Sequence, residues 1–303
     1  METETQLATN PSPKRPDKKE NKAKSPWATM IVQLIENKLS LIGLIIITCF
    51  LLLALLAPYL TPYSFAETNS AIRLLPPSGD HWFGTDDLGR DVFTRVAYGA
   101  RISLLIGFFA VTGAMVVGTL LGLIAGFYGK WVDMLLSRVF DVMLAFPSIL
   151  LAIAIVAILG PSLSNAMLAI AIINVPIFAR LVRSKVISLK QEEFVMAARA
   201  QGMKNGRLLF HHILPNSMAP IIVQATLGFG VAIIEAAALG FLGMGASPPT
   251  PEWGKMLADS RGYIQNAYWS VLFPGLSIML VVLGFNMIGD GLRDALDPKM
   301  KGK

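Results

Sequence analysis

Residues 39–60 read LSLIGLIIITCFLLLALLAPYL, a run without a single charged side chain. A bilayer hydrocarbon core about 30 Å thick takes about 20 apolar residues for one helical crossing. This block is therefore long enough to span. Only helices and closed barrels satisfy every backbone group in lipid, and an unbroken apolar run is the pattern of a helix rather than of a barrel strand. Five further blocks follow, near residues 102–127, 134–159, 165–186, 217–244 and 269–289. The sequence thus predicts an all-α integral membrane protein with six transmembrane helices and both termini on one side.

The loops set the orientation. The segment after the fourth block carries Arg180, Arg183, Lys185, Lys190, Arg199, Lys204 and Arg207, and the C-terminus carries Arg293, Lys299, Lys301 and Lys303. The alternate loops are acidic or balanced, with Asp80, Asp86, Asp87 and Asp91 against Arg73, Arg90 and Arg95. The positive-inside rule then places both termini in the cytoplasm. Residues 1–38 read as a largely disordered cytoplasmic tail, since the lysine- and proline-rich start cannot bury a core. It lacks the pattern of a cleavable signal peptide. Residue 39 opens the first transmembrane helix, 61–100 form an external loop with a short interfacial helix, 101–290 a five-helix core, and 291–303 a cytoplasmic tail.

Composition agrees: 54% of the 303 residues are hydrophobic and 15% charged, against about 25% charged in soluble proteins. The net charge of +6 is that of a membrane protein with basic inner loops. No basic-aromatic surface or groove-reading motif accompanies it, so nucleic acid is not a partner. The single cysteine, Cys49, excludes an internal disulfide and a cysteine metal cluster, and no metal site is expected.

Within the second block Ala110, Ala114, Gly118, Gly122 and Gly126 recur every four residues. Small residues at that spacing make a flat stripe for close helix packing. In the external loop, Thr85 is the expected N-cap of a short helix, Leu88, Val92 and Val96 share a face, and Asp91 and Arg95 can pair at i, i+4.

Residues 187–215 form the most informative loop. Glu192 and Glu193 suit a helix N-terminus, Phe194 to Gln201 form helix, and Gly202 stops it. A second turn runs through Leu208 and Phe210 to Pro215. Apolar Phe194, Val195 and Ala198 on a short rigid element fit two readings: docking into a partner's groove, or folding back on the chain's own domain or on lipid.

Chemistry is scarce. Gly129-Lys130 is the nearest approach to a P-loop, but Ile124 replaces the first glycine and Trp131 the Ser or Thr. His211-His212 is not HExxH, and no GxSxG elbow occurs. The chain is expected to be no enzyme. The ionisable residues in or near the apolar blocks are Arg138, Asp141, Glu235, Asp290 and Arg293. Asp141 follows Arg138 at a spacing for a local ion pair, and Asp290 with Arg293 repeats it. Glu235 has no basic neighbour in sequence, and intramembrane acids are candidates for function. Glu235, Asp141 and the Pro147 step are candidates for the pore or a subunit interface. An ion-coupled secondary transporter using Glu235 or Asp141 is the rival mechanism, although no inverted repeat is visible.

Ala197-Ala198, then Gly202, then Leu214-Pro215 resembles the EAA loop of bacterial ABC-importer permeases. Met196 stands where that motif has Glu, and His212 where an apolar residue is common. Phe83-Gly84-Thr85-Asp86, Gly89-Arg90-Asp91, Ala145-Phe146-Pro147, Gly240-Phe241-Leu242-Gly243 and Glu252-Trp253-Gly254 are similar to the dipeptide, oligopeptide and nickel branch, and to its second permease subunit. The resemblance implies a type I ABC-importer permease fold and a pore subunit in the bacterial plasma membrane, importing dipeptides or oligopeptides, with a nickel chelate as alternative cargo. It implies a coupling segment in which Glu193, Phe194, Met196, Ala197, Ala198, Gly202, Arg207 and Pro215 meet an ATPase. It also implies a second permease subunit, two ATPase subunits that carry ATP and Mg, and a lipid-anchored peptide-binding protein. This chain itself would bind no cofactor.

Overall fold

The computed structural model describes residues 32–296. The outer parts of both predicted tails, 1–31 and 297–303, lie outside the described residues. The first long helix, α1, runs Lys38–Leu60, where Asn37 accepts backbone hydrogens from Leu39 and Ser40 at 3.0 and 3.3 Å. After a 3₁₀ turn at Ser70–Ile72 come α2 (Val92–Tyr128), α3 (Lys130–Ala145), α4 (Ser148–Leu159) and α5 (Leu163–Leu189). They are followed by α6 (Glu193–Ala200), α7 (Asn205–Leu208), a π turn at Leu209–Ile213, α8 (Leu214–Phe241), α9 (Trp253–Ser260) and α10 (Trp269–Leu296).

Five of these stretches are long and apolar enough to cross a membrane, and α3 with α4 make a sixth if the bent pair is one span. The expected single crossing at 134–159 is instead broken by 98° between the two helices. Pro147 causes the break: it forces Phe146 into extended backbone, at φ −90° and ψ 143°, and cannot donate a helical hydrogen bond. Two ion pairs tie α3 to α5, a bidentate one from Arg183 to Asp133 and one from Arg180 to Asp141 at 2.6 Å. Asp141 thus pairs across helices and not with Arg138, and Asp290 makes no ion pair with Arg293.

Helix α2 is the central post. Its stripe of small residues lies along α5: a Cβ on Gly118, Gly122 or Gly126 would sit 2.6, 2.9 or 2.8 Å from the Cβ of Phe178, Val182 or Val186. Ala110 and Ala114 continue that face into a buried cluster with Val156, Ile170 and Leu239. The opposite flank of the bundle is closed by α1 crossing α10, where a Cβ on Gly43 would meet the Gly284 carbonyl at 2.7 Å.

The loop before α2 departs from the sequence expectation. Asp91, not Thr85, caps the helix, accepting from the Thr94 amide and hydroxyl at 2.7 Å. Thr85 receives the Leu75 amide at 2.8 Å and donates to the Ile72 carbonyl, which pins the outer loop to itself. No separate interfacial helix forms; Val92 and Val96 are buried in the first turns of α2, while Leu88 is exposed. Arg95 faces Asp86 at 3.5 Å and not Asp91, which takes His81 Nδ1 at 2.9 Å. Arg90 completes the cluster with Asp86 at 2.6 Å.

Candidate functional site

The end of the bundle that carries α6, here termed the base, holds a short helix on a built platform. Val195 and Ala198, three residues apart, turn inward and are buried at 1% and 7% exposure. They join Leu123, Phe127, Val186, Leu208 and Ile213 in one apolar cluster. Two basic side chains fasten the element to the end of α2. Lys190 Nζ donates to the Phe127 carbonyl at 2.8 Å, satisfying a C-terminal helix oxygen. The Arg199 guanidinium lies over the Phe127 ring at 5.6 Å.

The helix end is a Schellman motif. The Met203 amide donates to the Ala198 carbonyl at 3.2 Å and the Gly202 amide to Arg199 at 3.0 Å. Gly202 sits at φ +78°, the left-handed region that glycine enters without cost.

Among the described residues the opposite face of α6 is open, with only the His212 ring near Phe194, 6.5 Å between centroids. Phe194 is 42% and Met196 53% exposed, and Glu193 and Ala197 are exposed beside them. Arg207 and Phe210 lie exposed on the adjoining turn. The apolar residues that sequence reading grouped together therefore divide into two buried anchors and an outward pair. The segment after Gly202 also differs from expectation. The helix does not stop at Pro215 but continues from Asn205 to Phe241. The proline lacks a hydrogen for the preceding turn, and a π turn there, with Leu214 donating to Leu209, takes up the mismatch. The short turn and the following span are one rigid rod.

Near the far end of that rod, six residues before Phe241, Glu235 is buried. Asn174 of α5 donates to its carboxylate at 2.8 Å and, with its other hydrogen, to the Ile170 carbonyl at 2.9 Å. Ser148, the first residue of α4, is the other polar side chain beside it. The acid thus joins three helices at the Pro147 break, and no ion pair among the described residues includes it.

At the top, sequence reading missed a cap. Glu252 precedes α9 and accepts the amides of Gly254 and Lys255, both at 2.8 Å. It is 1% exposed. Burial pushes its carboxyl up to about 7, against the two amides and the Lys255 charge, which pull it down. Trp253, fully buried next to it, donates from its indole to the Val96 carbonyl at 3.1 Å and so locks α9 to α2. The signal was the run Glu-Trp-Gly itself: an acid at an N-cap and a glycine where α9 meets the Ala237 backbone.

A bundle of long helices thus presents a short helix and a glycine-closed turn at its base. The fold is that of ABC-importer membrane subunits. The methionine ABC transporter MetNI, in an inward-facing conformation, matches with a TM-score of 0.54 at 19% identity, covering 67% of this chain and 97% of that one. An amino acid ABC transporter solved with histidines matches with a TM-score of 0.51 at 17% identity, over 65% and 91% of the two chains.

Residues 118–302 match the family model of the binding-protein-dependent transport system inner membrane component, and 25–77 that of the N-terminal TM domain of oligopeptide transport permease C. The chain belongs to this family of multi-pass inner-membrane permeases, whose members are the membrane component and not the ATPase. It is 75% identical to the dipeptide transport system permease protein DppC of Alkalihalophilus pseudofirmus over 92% of each chain. It is 52% identical to the di/tripeptide permease protein DppC of Pseudomonas aeruginosa, over 88% of this chain and 90% of that one. The glutathione permease protein GsiD of Pectobacterium atrosepticum is 44% identical over 93% and 94%. A binding-protein-dependent family implies ATPase and binding-protein partners.

Proposed function

We propose that this chain is one half of the pore of an ATP-driven importer of dipeptides or oligopeptides, and that α6 is where ATP hydrolysis by a partner is transmitted to it. The single observation that carries the coupling role is the division of α6: Val195 and Ala198 fix it to the bundle while Phe194 and Met196 stand free on the outer side. An element so built moves the bundle when its free face is pulled. The names of the similar permeases support a peptide cargo.

In this reading the bent pair α3–α4 is one crossing, six crossings place both termini in the cytoplasm, and α6 faces that side. The pore is completed by a second, homologous permease subunit. Two ATPase subunits bind ATP and Mg, and a lipid-anchored binding protein delivers peptide on the outside. ATP closure of the ATPase pair draws on Glu193, Phe194, Met196, Ala197 and Arg207. The continuous rod from Asn205 to Phe241 carries that motion to Glu235 and the Pro147 break, and the bundle changes from inward to outward access. Coupling requires that the two ATPase states hold α6 with different affinity.

Cross-linking tests this directly. In the full assembly, with ATPase subunits co-expressed, Met196→Cys should form a disulfide with a cysteine scan of the ATPase surface in a nucleotide-dependent way, while Val195→Cys should not. Cross-linking of neither variant to any ATPase position would remove α6 from the coupling path.

A further inference from the structure

An open groove runs down the side of the bundle between α1 and α2, floored by the stacked rings of Phe229 and Phe285, 4.0 Å apart. Its volume is about 490 Å³. Its walls are apolar and outward-facing: Leu51, Leu55, Leu105 and Phe108 are between 47% and 67% exposed. Among the described residues the one charged side chain on it is Arg101. Arg101 is exposed, and no ion pair or side-chain hydrogen bond among the described residues includes it.

The depth of that charge is informative. From Tyr128 at the base to Arg101, α2 rises about 40 Å at 1.5 Å per residue. The hydrocarbon core is about 30 Å thick and the whole bilayer about 40–45 Å with its headgroups. Arg101 therefore stands at headgroup level of the leaflet opposite the base. Leu105 and Phe108 lie one and two turns deeper on the same helix, so the groove descends from the guanidinium into the hydrocarbon.

We propose that this groove is a phospholipid site, with an acyl chain along Leu51, Leu105 and Phe108 and an anionic headgroup on Arg101. A cation over an apolar slot matches the two ends of such a lipid, and a guanidinium holds a phosphate by two parallel hydrogen bonds. Among the described residues no carboxylate lines the groove to greet a choline ammonium, so a headgroup of net negative charge is preferred. The site is distinct from α6, and it stands whether or not the importer reading does.

The test uses the complete assembly reconstituted with phosphatidylglycerol or phosphatidylcholine carrying a photoactivatable group in the acyl chain, with labelled peptides mapped by mass spectrometry. Wild type should be labelled within 47–55 and 101–108, about fivefold more by phosphatidylglycerol. Arg101→Gln should bring labelling down to the phosphatidylcholine level, and Arg101→Lys should keep the preference, which separates loss of charge from loss of fold. Equal labelling by the two lipids in wild type, or labelling unchanged in Arg101→Gln, would overturn the site. So would cross-links from the groove to the second permease subunit in place of lipid.

Discussion

Gly118 of α2 lies against Phe178 of α5 so closely that a Cβ on the glycine would stand 2.6 Å from the Phe178 Cβ and 2.7 Å from the Val175 carbonyl oxygen. In lipid, helix association depends on such backbone approach, because the tails are as apolar as the side chains. Gly118→Leu must push the helices apart and should destabilise the detergent-solubilised protein by roughly 1–3 kcal/mol or more. Gly206→Ala is the contrast: nothing lies within 4 Å of its added carbon, and alanine should be neutral or stabilising by up to about 1 kcal/mol. Thermal unfolding followed by tryptophan fluorescence separates the two.

Gly202 calls for a different substitution. At φ +78° a β-branched side chain is strained, whereas Asn tolerates the left-handed region. Gly202→Val should lose about tenfold or more in peptide uptake, the equivalent of one to two kcal/mol of strain at the α6 turn, while Gly202→Asn stays near wild type. Equal activity of both variants would show that the turn is dispensable.

Glu252 makes the docking of α9 depend on pH. Its folded carboxyl is raised from 4.5 to about 7, so the folded state binds more protons than the unfolded one between those values. Stability is then greatest at low pH and falls as pH rises through that window. The full effect is about 3 kcal/mol, at about 1.4 kcal/mol per unit. Hydrogen exchange in 253–260 should speed up from pH 5 to pH 8 beyond the intrinsic chemistry. In Glu252→Gln that excess should vanish.

Asn174 donates to Glu235 from α5, and Ser148 hydrogen-bonds to it from the start of α4. If the acid serves to join α5, α8 and the Pro147 break, Glu235→Gln keeps the geometry and should retain uptake within about twofold, while Glu235→Ala leaves the amide with a lost partner and should cost about 1–3 kcal/mol. Loss of transport in Glu235→Gln with intact assembly would show instead that the charge itself is required.

Much of this was legible in the chain. The block at 39–60 and the four-residue rhythm from Ala110 to Gly126 are local patterns, and their helix and flat face follow from backbone geometry alone. Gly202 was readable as a stop because its left-handed turn is a local requirement. Two misreadings share one cause, a partner assigned by sequence spacing where the fold supplied another: Arg95 turns to Asp86, and Asp141 crosses to Arg180. The cap expected of Thr85 falls to Asp91 because the helix starts later, at Val92. The bend at Pro147 was signalled by its proline, but its 98° size and the ion pairs from α3 to α5 are tertiary facts that no local pattern carries. The split of α6 into anchored and free faces needed the end of α2 in place.

Peptide uptake and ATP hydrolysis in proteoliposomes holding the full assembly, wild type against Phe194→Asp, decide whether α6 couples an ATPase to the bundle. Phe194 is 42% exposed and touches no core cluster, so the variant should insert and assemble. Uptake that requires ATP in wild type and collapses in Phe194→Asp, with hydrolysis uncoupled or lost, is the predicted result. Uptake that persists without ATP, follows a proton gradient and is indifferent to Phe194 would contradict the account.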